Sequence, residues 1–238
     1  MSSFFLLVIN CLIIIYYHRE IKNERVILMY SSELEGKPVI GYVKRANKKL
    51  KQPKITYNRQ LNRLIDNART VYVTGDWHLW GMGKDGIIRK GKRFYPTIQE
   101  LRKLRSDDFL IFLGDLVNDE FEDKDALRRI LSEINCRTVM ILGNNDVMDR
   151  EFYEQYFDFV VEAFQWKDIT FSHFPLPDFT EGFNIHGHIH ESTTYWDYCP
   201  RNYNAFREDG SFFTLDEILN FFNKGYVNHY GKFIKRES

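Results

Sequence analysis

Four times along this chain a short β-rich run stops at Gly or Ser and is followed at once by Asp, Asn or His. Val71-Tyr-Val-Thr-Gly leads into Asp76-Trp77-His78, and Phe109-Leu-Ile-Phe-Leu-Gly into Asp115. Thr138-Val-Met-Ile-Leu-Gly leads into Asn144-Asn145-Asp146, and Ile169-Thr-Phe-Ser into His173. Continuous apolar runs are what strands buried on both faces look like, and in open α/β sheets ligands gather at the carboxyl ends of such strands. A fold that aligns these runs therefore brings their polar ends to one edge. A fifth stretch, Asn184-Ile-His-Gly-His-Ile-His, carries three of the seven histidines at alternate positions. In an extended segment alternate side chains point the same way, so His186, His188 and His190 are expected to face one cavity. Taken alone the stretch also reads as a polar surface strand; beside the other four runs it reads as a metal site.

The segments between the runs supply helices. Leu127, Ile130, Leu131 and Ile134 stand at helical spacing within residues 123–134, which predicts a stripe packed on a sheet. That helix joins the strand before Asp115 to the strand before Asn144, so the two strands should be parallel. Residues 97–104 read as a helix capped by Thr97, with Glu100 three residues on. Residues 151–156 read as a short helix, 159–164 and 169–171 as paired strands, and 214–222 as a last helix with Asp216 and Glu217 in its first turn. The glycine-rich residues 81–86 form a loop that leads to Arg89, Lys90, Lys92 and Arg93. Arg89 and Arg93 are the candidates for gripping phosphate oxygens, although basic loop residues are commonly just solvated.

Ahead of the first run lies a different kind of sequence. Residues 4–17 are apolar apart from Asn10, a length short for a membrane-spanning helix. His18, Arg19, Lys22 and Arg25 follow, so an inserted segment would leave the remainder in the cytoplasm. A membrane anchor, a buried strand, and an upstream extension of a chain starting at Met29 all fit. Residues 26–30 and 38–43 read as a hairpin. From Lys44 to Arg69 nine Lys or Arg face only Asp66, which suits a nucleic-acid backbone or an anionic lipid. Leu61, Leu64 and Ile65 instead make 58–67 an amphipathic helix with a solvated basic face. The expected partition is an N-terminal extension over 1–68 and one α/β domain over 69–238, which 238 residues can accommodate. The formal net charge is zero, so no global field argues for nucleic acid or membrane. Cys11, Cys136 and Cys199 form no spaced framework and no Cys-x-x-Cys pair, which suits a reducing, cytoplasmic setting and argues against a thiolate-ligated metal.

The ordered set Asp-x-His, Gly-Asp, Gly-Asn-x-Asp, a lone His and Gly-His-x-His resembles the signature of the calcineurin-like metallophosphoesterases, from about Val71 to His190. The resemblance implies an α/β fold, a four-layer α-β-β-α sandwich, that hydrolyses phosphoesters with two divalent metal ions. Oxygen and nitrogen donors without sulfur suit Mn, Fe or Zn, with Mn favoured. Carried over motif by motif, the resemblance implies that Asp76, His78 and His190 hold one metal and Asn144, His173 and His188 the other. Asp115 would bridge both, opposite a bridging hydroxide that acts as nucleophile. The sequence departs from the commonest pattern at Asn145, where the family carries a histidine that protonates the leaving group. An amide can donate a hydrogen bond but cannot deliver a proton. That departure favours phosphodiesters over monoesters, unless another residue, such as His186, serves as the acid. A monoesterase of that kind, a scaffold without turnover, and a nucleic-acid binder using residues 44–69 are the alternatives. The sequence sets no oligomeric state.

Overall fold

Alternation along two central strands organises the molecule. In the strand at residues 109–112 and its exit, Phe109, Ile111 and Leu113 enter one core cluster, while Leu110 and Phe112 enter another. The next strand repeats the division, with Val139 and Ile141 on one side and Met140 on the other. A strand with two apolar faces must be covered twice, which forces a layered fold. The computed structural model of the protein describes residues 3–9, 12–21, 24–28, 53–82, 88–91, 93–117, 123–146, 148–176, 182–190, 202–223, 226–229 and 232–235.

The chain divides into two units, Met1–Gln52 and Pro53–Ser238. In the first, β1 (Ser3–Ile9), β2 (Leu12–Ile21) and β3 (Glu24–Leu28) form an antiparallel sheet in that order. Of the apolar segment, residues 4–9 and 12–17 are thus extended, and no helix among the described residues is long and apolar enough to cross a membrane. Of the hairpin expected over 26–43, β3 takes 24–28 and pairs with β2; the rest lies outside the described residues.

The second unit begins well before the expected boundary at residue 69. Its first strand, β4 (Ile55–Thr56), runs parallel to a later strand at Ala163 and Phe164. Helix α1 (Arg59–Asn67) follows, capped by Asn58, whose side chain accepts hydrogen bonds from the Gln60 and Leu61 amides. Leu61 and Ile65 are buried in the core. The basic helix is therefore part of the domain, its arginines Arg59 and Arg63 exposed.

Next come β5 (Val71–Thr74), a hairpin of β6 (Trp80–Met82) and β7 (Ile88–Lys90), α2 (Phe94–Leu101), β8 (Phe109–Phe112), α3 (Lys124–Leu131), β9 (Arg137–Ile141), α4 (Arg150–Tyr153) and β10 (Phe159–Val161). Then follow β11 (Ala163–Trp166), β12 (Ile169–Ser172), β13 (Phe183–His186), β14 (Asn202–Asn204), β15 (Phe213–Thr214) and α5 (Leu215–Asn223). One sheet has the order β10-β9-β8-β5-β15, parallel except for β15. The other has the order β14-β13-β12-β11-β4. Its strands β14, β13 and β12 are parallel, and β11 runs antiparallel to β12. Helices α2, α3 and α4 cover the outer face of the first sheet, while the second core lies against both sheets and takes in α1 and α5. The expected architecture of two sheets flanked by helices is what the chain adopts, and β8 and β9 are parallel across α3 as the crossover required.

Two elements differ from expectation. The strand read over 159–164 is two strands, broken at the exposed Glu162: β10 finishes the first sheet and β11 enters the second. Helix α2 starts three residues ahead of Thr97, with Pro96 in its first turn, where a missing amide costs nothing. Thr97 is fully buried rather than a cap. The last helix does carry a capping box, because the Thr214 hydroxyl accepts from the Glu217 amide while Glu217 accepts from the Thr214 amide.

Candidate metal centre

All the strand-end residues singled out above stand at one edge, because β5, β8, β9, β12 and β13 finish there. Among the described residues six non-glycine residues have left-handed backbone. Five are Asp76 (φ 52°), His78 (42°), Asp115 (56°), His188 (70°) and His190 (46°); the sixth is Lys167. Such conformations cost about 1–3 kcal/mol each and persist only where surrounding contacts over-determine them. Here the contacts are hydrogen bonds that continue the sheets past their ends. The Asp76 amide donates to Gly114 O (2.8 Å), the His78 amide to Asp115 O (3.1 Å) and the Gly187 amide to His173 O (3.1 Å). Asp146 ties two of the loops together, its carboxylate accepting from the Asp115, Leu116 and Gly143 amides.

Glycines let the carboxylates in. A Cβ on Gly187 would lie 2.3 Å from Asp76 Oδ2, and one on Gly143 would lie 2.3 Å from Asp115 Oδ1. Gly114, at φ +95°, faces Gly143 and the Nδ1 of His173.

The donor atoms fall into two groups. In the first, the Nε2 atoms of His78 and His190 are 3.0 Å apart and His190 Nε2 is 3.4 Å from Asp76 Oδ1. In the second, His173 Nε2 is 3.0 Å from Asn144 Oδ1 and 3.2 Å from His188 Nδ1. Asp115 reaches both, with Oδ2 3.5 Å from His78 Nε2 and Oδ1 3.5 Å from His173 Nε2. Donors bound at about 2.1 Å sit about 3.0 Å apart at right angles and about 3.4 Å apart at a tetrahedral angle, so these spacings suit ligands converging on an ion. Asp76, His78 and His190 form one group able to hold a metal, and Asp115, His173 and His188 form another.

Ring orientation is fixed from behind. His173 donates from Nδ1 to the Leu113 carbonyl at 2.7 Å, which leaves Nε2 as a lone pair facing the cavity. His190 has its ring stacked on Phe206, centroids 4.8 Å apart and planes within 5°, and Arg93 lies over the same phenyl ring at 4.6 Å. Burial would raise the Asp76 carboxyl, but the hydrogen bond with His190 and the charges of His173, His190 and His78 outweigh it and hold the group below its usual range. Burial pushes His188 down to about 4, which keeps it neutral and able to ligate. Burial also pushes Asp146 up to about 6, against the three amides that bond it.

Two sequence expectations change. His186 does not share a face with His188 and His190: strand β13 ends at His186, and the left-handed turns after it break the alternation. Its ring is 1% exposed, donates from Nδ1 to the Gly187 carbonyl, and belongs to neither donor group. Burial pushes it down to about 4. Asn145 lies on the carboxylate of Asp115, donating its amide N–H to Oδ1 (2.9 Å) and its side-chain NH₂ to Oδ2 (2.8 Å). Of the two arginines expected to grip phosphate, Arg93 is described through its ring contact, while the side chain of Arg89, in β7, lies outside the description.

Sequence reasoning missed Phe206, which sits far from every motif, and the roles of Gly187 and Asp146. For the last two the signal was present, in the Gly inside Gly-His-x-His and the final Asp of Gly-Asn-Asn-Asp.

The family model of the calcineurin-like phosphoesterases matches residues 69–229. No curated protein shows significant similarity to the chain. Among solved structures, a protein of unknown function from Aquifex aeolicus is similar at 24% identity and a TM-score of 0.50, covering 63% of this chain and 98% of its own. The nuclease MPE from Pseudomonas putida aligns at 22% identity and a TM-score of 0.39, covering 50% of this chain and 61% of its own.

Proposed function

The chain belongs to the calcineurin-like phosphoesterases, and from that membership we propose that it hydrolyses phosphoesters with two divalent ions, diesters in preference to alkyl monoesters. One observation carries the reading: the two carboxylate oxygens of Asp115 address different donor groups, Oδ2 toward His78 and Oδ1 toward His173. A carboxylate so placed could serve an ion in each group. Ions bound there would polarise the phosphoryl oxygens and lower the pKa of water.

The chain's own residues do the rest. Asp76, His78 and His190 would hold one ion and Asn144, His173 and His188 the other. Asp146 keeps the loops after β8 and β9 at fixed separation, and Arg93 offers a cation to a non-bridging phosphate oxygen. Asn145 supports the bridging carboxylate and brings no proton. His186 is a poor substitute acid, because its buried ring is held neutral and donates from Nδ1 to the Gly187 carbonyl. With no general acid, esters with good leaving groups should react best, since acid help is typically worth about 10² to 10⁴ in rate. The donor set of oxygen and nitrogen supports Mn, Fe or Zn, Mn first. The cysteine pattern supports a cytoplasmic setting.

The test compares Mn-supported cleavage of bis(p-nitrophenyl) phosphate, p-nitrophenyl phosphate and an alkyl monoester by metal-stripped and reloaded protein. The diester should be cleaved fastest and the alkyl ester slowest, and Asn145→His should raise the alkyl ester rate most. Wild-type preference for alkyl monoesters, or full activity after dialysis against chelator, sinks the proposal.

A further inference from the structure

Histidine ligands usually have their second ring nitrogen tied to a carbonyl or carboxylate, which sets the plane of the ring. His173 follows this rule through Leu113. His190 differs: it leaves the protein body at a left-handed residue, its side chain is 38% exposed, and its ring lies flat on Phe206. An offset stack of this kind restricts rotation about the ring bond while leaving the edge free. The edge in question is Nε2, the atom that faces His78 and Asp76.

Phe206 is itself held. The Ala205 amide donates to His186 O, and the Asn204 side chain donates to the carbonyl of His190, so the start of the segment is stitched to the ligand loop on both sides. Further on, Gly210 turns at φ +76° against Arg93 and Thr97, and Phe212 is buried against Trp77. The Arg93 guanidinium also lies over the ring of Phe206, at 4.6 Å from its centroid. A flat ring in contact with both an imidazole and a cation thus links the first donor group to the residue proposed above for phosphate.

We infer that Phe206 is a positioning residue, setting the plane of ligand His190 and seating Arg93 beside it, so that one ring orders both the first ion and the cation that meets the substrate. This rests on the two-ion reading above. Two roles predict two signatures. Losing the ring should weaken ion binding at the first group and, separately, raise KM; losing only the guanidinium should raise KM and leave ion binding alone.

The experiment uses full-length protein, metal-stripped, titrated with Mn²⁺ and with Co²⁺, whose visible absorption reports ligand geometry. Phe206→Leu keeps bulk but not flatness, and should weaken one of two binding steps about tenfold, the lower end for residues behind metal ligands. Phe206→Tyr keeps the flat ring and should restore the wild-type isotherm. At saturating Mn²⁺, Phe206→Leu should recover kcat while KM for bis(p-nitrophenyl) phosphate stays raised, and Arg93→Met should raise KM with an unchanged isotherm. A Phe206→Leu isotherm and Co²⁺ spectrum matching wild type overturn this inference alone. A wild-type protein that binds no ion overturns both it and the reading it rests on. Failure of Phe206→Tyr to restore binding overturns it as well, because the flat ring is the feature it depends on.

Discussion

The two donor groups are built differently. On the side of Asp115, that carboxylate and His173 are 2% and 1% exposed, and the His173 ring is fixed by a carbonyl at the end of β8. On the other side Asp76 is buried, but His78 and His190 are 14% and 38% exposed, and the outermost ring is held by a phenyl group from a connecting segment. Hydrogen bonds from strand ends are as rigid as the sheet; a stacked ring on a connecting segment is less so. The comparison teaches that one side should bind its ion tightly and the other should exchange it more readily with solvent, where the substrate arrives.

The largest effect should come from removing what the two sides share. Asp115→Ala is expected to abolish turnover and at least one ion, measured by elemental analysis after dialysis, whereas His78→Ala and His173→Ala should each lose mainly one. If Asp115→Ala keeps both ions, the carboxylate does not bridge and the two sides are independent.

Smaller and sharper is a pair of glycine substitutions that leave every ligand in place. In Gly187→Ala the new methyl carbon would lie 2.3 Å from Asp76 Oδ2, so the carboxylate must swing away and the open side should lose its ion. In Gly143→Ala the same distance separates the methyl carbon from Asp115 Oδ1, so both sides should weaken. Each variant should cost on the order of 1–3 kcal/mol in stability, the usual penalty for overpacking. Circular dichroism checks the fold and ion counting checks the contrast; equal loss of ions in the two variants would break it.

Much of this arrangement was legible in the sequence because a strand buried twice must be a continuous apolar run, and its end must be polar. Val71 to Asp76 and Phe109 to Asp115 could hardly be read otherwise. What was not legible depends on partners distant in the chain. Residues 159–164 alternate as one strand would, and only the separation of the sheets splits them at Glu162. Thr97 looked like a cap because nothing local shows that Gly210 closes over it. The three alternate histidines obeyed the strand rule until the left-handed turns at His188 and His190 broke it, in a loop where the distant carboxylate of Asp76 accepts the His188 amide. Phe206 carried no local signal at all, since a lone phenylalanine between a strand and a turn is ordinary.

The smallest effect concerns pH, and it belongs to the enclosed side. In metal-free protein burial holds His186 and His188 near 4, while the unfolded chain protonates them at the ordinary value of about 6.5. A depressed histidine favours the folded state only while both states are neutral, so stability is full above about 6.5 and falls as pH drops toward 4. The fully buried His186 should contribute on the order of 1 kcal/mol per pH unit in that window, and the more exposed His188 less. Asp146 acts with the opposite sign. Its carboxyl, raised to about 6, holds a proton in the folded state that the unfolded chain does not, which adds stability as pH falls below 6. Asp76 is held down, so its contribution is lost only below the ordinary carboxylate range. Urea midpoints of chelator-treated protein should therefore fall most steeply just below pH 6.5 and flatten below 6. In His186→Gln the steep part should shrink by about half, with the flattening unchanged. Parallel curves for the two proteins between pH 7 and 5 would mean that His186 is not held neutral by burial, and that the end of β13, which leads into the loop of His188 and His190, is open to protons.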